Sequence, residues 1–115
     1  TLFTRLPSIQ EPRLLRVAQG IINNPADDRS LEDWAEICGA SDRTLARLFL
    51  RETGMTFGQW RLQARLNAAF ILLTTEGDIP SAAQKVGFSS HSAFGVAFRR
   101  TFGLTPAQAR TLHLE

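Results

Sequence analysis

Apolar residues along this chain recur at three- and four-residue intervals, and no convincing run of alternating positions suggests a strand. Pro12 followed by Leu14, Leu15, Val17, Ala18, Ile21 and Ile22 predicts a first helix ending near Asn23-Asn24-Pro25. Ser30, with Asp33 three residues on, reads as the N-cap of a second helix holding Leu31, Trp34, Ala35 and Cys38 and stopping at Gly39. Ser41 or Asp42 caps a third, with Leu45, Leu48 and Phe49 inward, and Gly54 ends it. A longer helix runs from about Thr56 to Thr75, with Phe57, Trp60, Ala64, Leu66, Ala69, Leu72 and Leu73 inward. Its second half is apolar nearly all round, which predicts burial between two units. After the turn at Gly77-Asp78, Pro80 suits the first turn of a short helix to Val86. Gly87 and the polar tract Ser89-Ser90-His91-Ser92 follow, then a helix with Phe94, Phe98 and Phe102 on one stripe, closed by Gly103. Thr105-Pro106 opens a last helix toward Leu112. The expected fold is all-α, with about seven helices.

The pattern repeats. A shift of 48 residues pairs Leu31 with Ile79, Ala35 with Ala83 and Gly39 with Gly87. From the turn onward a shift of 49 pairs Ser41 with Ser90, Leu45 with Phe94, Phe49 with Phe98, Arg51 with Arg100, Gly54 with Gly103 and Thr56 with Thr105. One unit of short helix, turn and second helix therefore occurs twice, with one extra residue in the second turn. A small residue lets two helices cross closely, a glycine four later takes a tight turn, and an apolar residue six or seven beyond locks the second helix down. These are the requirements of a helix-turn-helix unit. The expected organisation is a leader and first helix over 1–29, a first unit over 30–55, a linking helix over 56–76, and a second unit with the C-terminal helix over 77–115.

Composition narrows the function. Of 115 residues, 43% are hydrophobic and 21% charged, a globular rather than a disordered balance. The longest apolar run, Ala68 to Leu73, is far short of a membrane span, so no membrane partner is expected. One cysteine excludes an internal disulfide, and with two histidines it is too few for an all-protein zinc site; no cofactor or metal is expected. The first residue is Thr1 rather than Met, which suggests a processed form or an excised domain. Ser92 beside His91 is a neighbour pair rather than a triad, so no enzyme is expected. The formal charge of +2 averages two regions: residues 1–36 carry a net −2, with Asp27, Asp28, Glu32, Asp33 and Glu36 close together, and residues 37–110 carry +5. All the basic residues but Lys85 are arginine, the forked donor suited to phosphates and base edges. A polyanion is drawn to such a body and repelled by the acidic segment. The rival is a helical protein-interaction module, with Asp27 to Glu36 as its contact.

From Ser30 to Arg110 the chain resembles the DNA-binding domain of AraC/XylS-type bacterial transcription regulators. The likeness rests on Ser30-Leu31-Glu32 with Ala35, Ser41 to Phe49, Arg51-Glu52-Thr53-Gly54, Gly87-Phe88, Phe94, Phe98-Arg99-Arg100, Phe102-Gly103, Thr105-Pro106 and Arg110. Gly95-Val96 stand where the family commonly has a polar residue and an arginine, and Ala109 replaces the usual aromatic before Arg110. The resemblance implies that one such domain binds an asymmetric duplex operator from the bacterial cytoplasm and nucleoid. It also implies that full-length members commonly dimerise through a separate effector-binding domain, which nothing in these residues resembles, and that an activator would contact RNA polymerase.

Each unit's second helix is expected in the major groove, N-terminal half toward the bases. In the first unit that points Arg43, Thr44 and Arg47 at base edges, with Arg47 foremost; the alternatives are ion pairs of Arg47 with Glu52 or Arg43 with Asp42. In the second unit the outward set is His91, Ser92, Gly95, Val96 and Arg99. His91 is a contact or a mere cap residue, Gly95 permits close approach, and Val96 suits a thymine methyl but donates no hydrogen bond. Ser41 and Ser90 at helix N-termini, with Arg51, Arg61, Arg65, Arg99 and Arg100, are the expected phosphate contacts; Arg65 and Arg100 have the alternative of bridging helices. The first unit is thus expected to read bases and the second mainly to hold the backbone. Trp34, Phe49, Trp60, Phe88, Phe94, Phe98 and Phe102 fall at core spacing rather than on a stacking platform.

Overall fold

The computed structural model describes residues 6–112, and among them seven helices and no strand. These are α1 (Pro12–Asn23), α2 (Leu31–Cys38), α3 (Asp42–Thr53), α4 (Phe57–Thr75), α5 (Ile79–Lys85), α6 (His91–Phe102) and α7 (Pro106–Arg110). Most start where a side chain satisfies amides that the first helical turn leaves without partners. Ser30 and Asp33 form a reciprocal capping box at α2. Ser41, rather than Asp42, caps α3, and Ser90 caps α6. Thr56 with Gln59 and Thr105 with Gln108 form two further boxes, at α4 and α7.

The repeat is visible bond by bond. In the first turn the Gly39 amide donates to the Glu36 carbonyl and the Ala40 amide to Ala35. In the second, Gly87 donates to Gln84 and Phe88 to Ala83, the same closure 48 residues later. Both glycines have positive φ, +68° and +96°, a backbone region that side-chain-bearing residues rarely adopt. Since Ser41 and Ser90 then cap helices of equal length, 12 residues each, the extra residue of the second unit is Ser89. The box threonines and glutamines again stand 49 residues apart, so the duplication reaches past the units into the starts of α4 and α7.

Two cores form along α4. The first joins Leu14, Val17, Ala18 and Ile21 of α1, Trp34 and Ala35 of α2, Leu45, Leu48 and Phe49 of α3, and Phe57, Trp60 and Ala64 of α4. The second joins Leu66, Ala69, Phe70 and Leu73 of α4 to Ala82 and Ala83 of α5 and its C-cap Val86, to Phe94, Phe98 and Phe102 of α6, and to Ala109 of α7. Phe49 and Phe98, equivalent in the repeat, are central in each: Phe49 lies 5.8 Å from Trp60, and Phe98 lies 4.8 Å from Phe102. Ala109, at the position where the resemblance implies an aromatic, is fully buried on the inner side of α7. The acceptor side of Glu52, near the end of α3, takes the amides of Gln10 and Glu11 at 2.8 and 3.2 Å and so fixes the start of α1 against the first unit.

One packing expectation is overturned. The second half of α4 is not enclosed all round, since Ile71 is 47% exposed and Leu72 only half-buried. The cores follow one another along the helix instead of wrapping it, so one side of each stretch stays open. Phe88 is likewise half-buried, its ring 5.2 Å from Phe94 at the edge of the second core. None of the helices of the described residues is long and apolar enough to cross a membrane.

Candidate nucleic-acid interface

α3 turns Leu45, Leu48 and Phe49 into the core, which leaves Arg43, Arg47 and Arg51 on an exposed row at four-residue spacing. Neither alternative ion pair forms. Glu52 is occupied by the two amides at the start of α1, with Arg51 at 3.8 Å, and Asp42 accepts the backbone amide of Arg43 rather than its guanidinium. The side chains of Arg43 and Arg47 make no hydrogen bond or ion pair with any described residue. Thr44 is half-buried, and its hydroxyl accepts from Ser41 at 2.8 Å, while the Ser41 oxygen accepts the Thr44 amide at 3.0 Å. Ser41 and Thr44 therefore order the N-terminus of α3, directly beside Arg43.

α6 presents a different row. Ser90, not His91, is the capping residue, accepting the Ala93 amide at 3.1 Å. His91 and Ser92 are exposed in the first turn, Val96 is 59% exposed, and Arg99 and Arg100 are exposed in the last turn. Gly95 borders open space, since a Cβ there would meet nothing within 4 Å. No packing demand explains a glycine at that point in a helix.

The remaining two arginines behave otherwise. Arg65 donates through Nε to the Pro25 carbonyl and through a terminal nitrogen to that of Asp27, both at 2.8 Å. The bridging alternative is thus the arrangement present, with α4 tied to the loop between α1 and α2. Burial, and then the charge of nearby Arg61, pull the Arg65 guanidinium below the usual arginine value. Arg61 donates to the Arg29 carbonyl at 2.7 Å and stacks over the Phe57 ring at 4.7 Å. Arg100 makes no such bridge to any described residue. The acidic segment is partly spent on local order: Asp27 takes the amide and guanidinium of Arg29, and Asp33 completes the α2 cap. Asp28, Glu32 and Glu36 are not part of these bonds, and Glu32 and Glu36 are exposed.

Sequence reasoning did not reach the roles of Gln59, Gln108 or the carbonyl partners of Arg61 and Arg65. The glutamines carried a usable signal, the Thr-x-x-Gln spacing repeated at 49 residues; the carbonyls carried none. Among the described residues no group of three or more His, Cys, Asp or Glu is placed to hold a metal ion.

Comparison with known proteins agrees with this architecture. A helix-turn-helix domain family matches residues 34–111. The HTH-type transcriptional regulator RipA of Corynebacterium glutamicum is 45% identical over 106 residues, covering 91% of this chain and 32% of its own length. The crystal structure of an AraC-type transcriptional regulator from Chromobacterium violaceum superposes with a TM-score of 0.80 at 33% identity, covering 86% of this chain and 89% of that one. The DNA-binding domain of AdpA, a global transcriptional factor solved in complex with a target DNA, matches with a TM-score of 0.78 at 30% identity, covering 85% of this chain and 89% of that one. This chain spans about a third of the length of the curated relatives it matches. With two helix-turn-helix units on a shared helix, the chain belongs to the AraC-type helix-turn-helix family of bacterial transcription regulators.

Proposed function

We propose that this domain binds a specific duplex DNA operator by placing α3 and α6 in successive major-groove segments. The carrying observation is the pair of equal helices with matching caps, one of which offers Arg43 and Arg47 to solvent with no competing partner. A guanidinium left free and held on a capped helix is suited to bidentate recognition of guanine, worth about 1–3 kcal/mol of discrimination. The second unit is the weaker reader. Val96 and Gly95 offer apolar contact and close approach, while Arg99 and Arg100 attract phosphate. α4, with 19 residues, extends about 28 Å at ~1.5 Å per residue. Successive major-groove faces lie ~34 Å apart, so a modestly bent duplex accommodates both helices.

The family likeness supports a transcription regulator of the bacterial cytoplasm and nucleoid rather than an enzyme. The full-length protein would add an effector-binding or dimerisation domain, and an activator would also contact RNA polymerase. Selection of bound sequences from a random duplex pool, followed by a salt titration, tests the reading. Enrichment of one motif, with affinity falling steeply between about 50 and 200 mM salt, is the expected outcome. Absence of binding to any duplex would leave the protein-interaction module in its place.

A further inference from the structure

Resting on that DNA-binding reading, we propose that Arg65 is a positioning residue that locks the two units at one relative angle and so selects the spacing of the two half-sites. Among the described residues α4 is the helix whose buried side chains enter both cores, and the division falls between Ala64 and Leu66, on either side of Arg65. A single helix shared by two cores is one point of attachment, and it permits bending and twisting at the seam. The second point of attachment lies at Arg65. Its guanidinium reaches back to the Pro25 and Asp27 carbonyls of the first unit's side of the molecule. On its other side lies Gly87, the turn glycine of the second unit. A Cβ on Gly87 would lie 3.2 Å from the Arg65 Cζ and 3.0 Å from the Ala26 Cα.

The α1–α2 loop, the arginine and the second unit's turn therefore touch at one place. The turn backbone lies close enough that a side chain on Gly87 would crowd both the loop and the arginine. A planar fork holding two carbonyls has little freedom to swing, so the loop carries the turn with it. Because that turn leads through Ser89 and Ser90 into α6, its placement sets where α6 points relative to α3. A base pair of spacing corresponds to about 3.4 Å and ~34° around the duplex, so a locked pair of readers discriminates sharply between neighbouring spacings.

Two measurements on this chain test the lock. The first needs no DNA. Spin labels on Glu36→Cys in α2 and Gln84→Cys in α5, in a Cys38→Ser background, report the distance between the units by double electron–electron resonance. The expected result is a single narrow distribution for the parent and a broad one for Arg65→Gln and Arg65→Lys, with helical content unchanged. The lysine variant keeps the charge and the stem but not the fork, and it serves if the glutamine variant does not fold. The second measurement uses the best duplex selected by the parent chain, with one or two base pairs inserted or removed between its two protected halves. The parent should show one sharp spacing optimum. The variants should bind that optimum about tenfold more weakly, as expected when a rigid connection becomes flexible, and should bind the neighbouring spacings almost equally well. A folded variant that keeps the narrow distribution, or the parent's spacing optimum, overturns the proposal. If the parent binds no duplex at all, it is the DNA-binding reading that fails, and the distance distributions alone decide whether Arg65 is a lock.

Discussion

Arg47 and Val96 are each the sixth residue of a 12-residue helix that begins at a capping serine and ends at a glycine, and both side chains are exposed. The repeat presents two equivalent stations, one carrying a forked cation and the other a branched apolar group. Under the proposed function the first specifies a guanine through two hydrogen bonds, and the second senses only a methyl or the shape of the groove floor.

Arg47→Ala is therefore expected to lose about 1–3 kcal/mol on the selected duplex and to relax base preference at one position, with little loss on a scrambled duplex. Val96→Ala should lose less. Fluorescence anisotropy on both duplexes checks the ranking, and equal losses for Arg47→Ala on the two sequences would remove it from base reading.

Arg99 and Arg100 should behave differently from Arg47. Each exposed arginine replaced by alanine is expected to weaken specific and scrambled binding alike. The slope of log affinity against log salt should shrink by about one for each phosphate no longer neutralised. Titrations of Arg99→Ala and Arg100→Ala from about 50 to 200 mM salt measure this directly, and an unchanged slope would place that residue away from the backbone.

Two glycines separate packing from function. At Gly20 an added Cβ would lie 2.5 Å from the Trp34 ring, so Gly20→Ala should lower the melting temperature. At Gly95 an added Cβ meets nothing, and alanine is about 0.5–1 kcal/mol better than glycine inside a helix, so Gly95→Ala should raise it. If α6 approaches the groove floor at this point, the same stabilised variant should bind DNA more weakly. Thermal melts beside anisotropy reveal whether the two effects have opposite signs.

Acid should loosen the start of α1. Burial alone would raise the Glu11 carboxyl above its ordinary value, but the Leu14 amide and the hydrogen bond and charge of Arg13 more than offset this, leaving it lowered. A carboxylate depressed in the folded state contributes stability above its unfolded pKa and loses it as pH falls through the folded value. Glu11→Gln is thus expected to melt lower than the parent near pH 6 and to lose less on going to about pH 3. Melting curves across that range test it; parallel curves would mean the carboxylate contributes no pH dependence.

Much of the scaffold is legible in the sequence because its signals are local. Ser41, Ser90, Gly54 and Gly103 mark helix ends through bonds to residues within four positions, and such bonds depend on residue type. Core residues such as Phe49 and Phe98 are legible through helical period. Bridging is one of the two roles the sequence leaves open for Arg65, but the partners of Arg61 and Arg65 are not legible, because they are main-chain carbonyls 32 to 40 residues away and a carbonyl has no residue signature. The exposure of Ile71 is hidden for a related reason. An all-round apolar stretch says that burial is available, not that a neighbour arrives on every side.

The change of core along α4 also bears on how the molecule comes apart. Its two halves owe their order to different sets of neighbours, most of them on helices adjacent in the chain, so each half can melt with its own set. The repeat is then a pair of cooperative folding units joined through the hydrogen-bonded ladder of α4 and the contacts of Arg65. Damage to the phenylalanine stack around Phe98 need not melt the helices around Trp60. A lesion confined to the second core can therefore weaken one half of the repeat while the other keeps its fold, so that under the proposed function the two groove-reading helices can change independently.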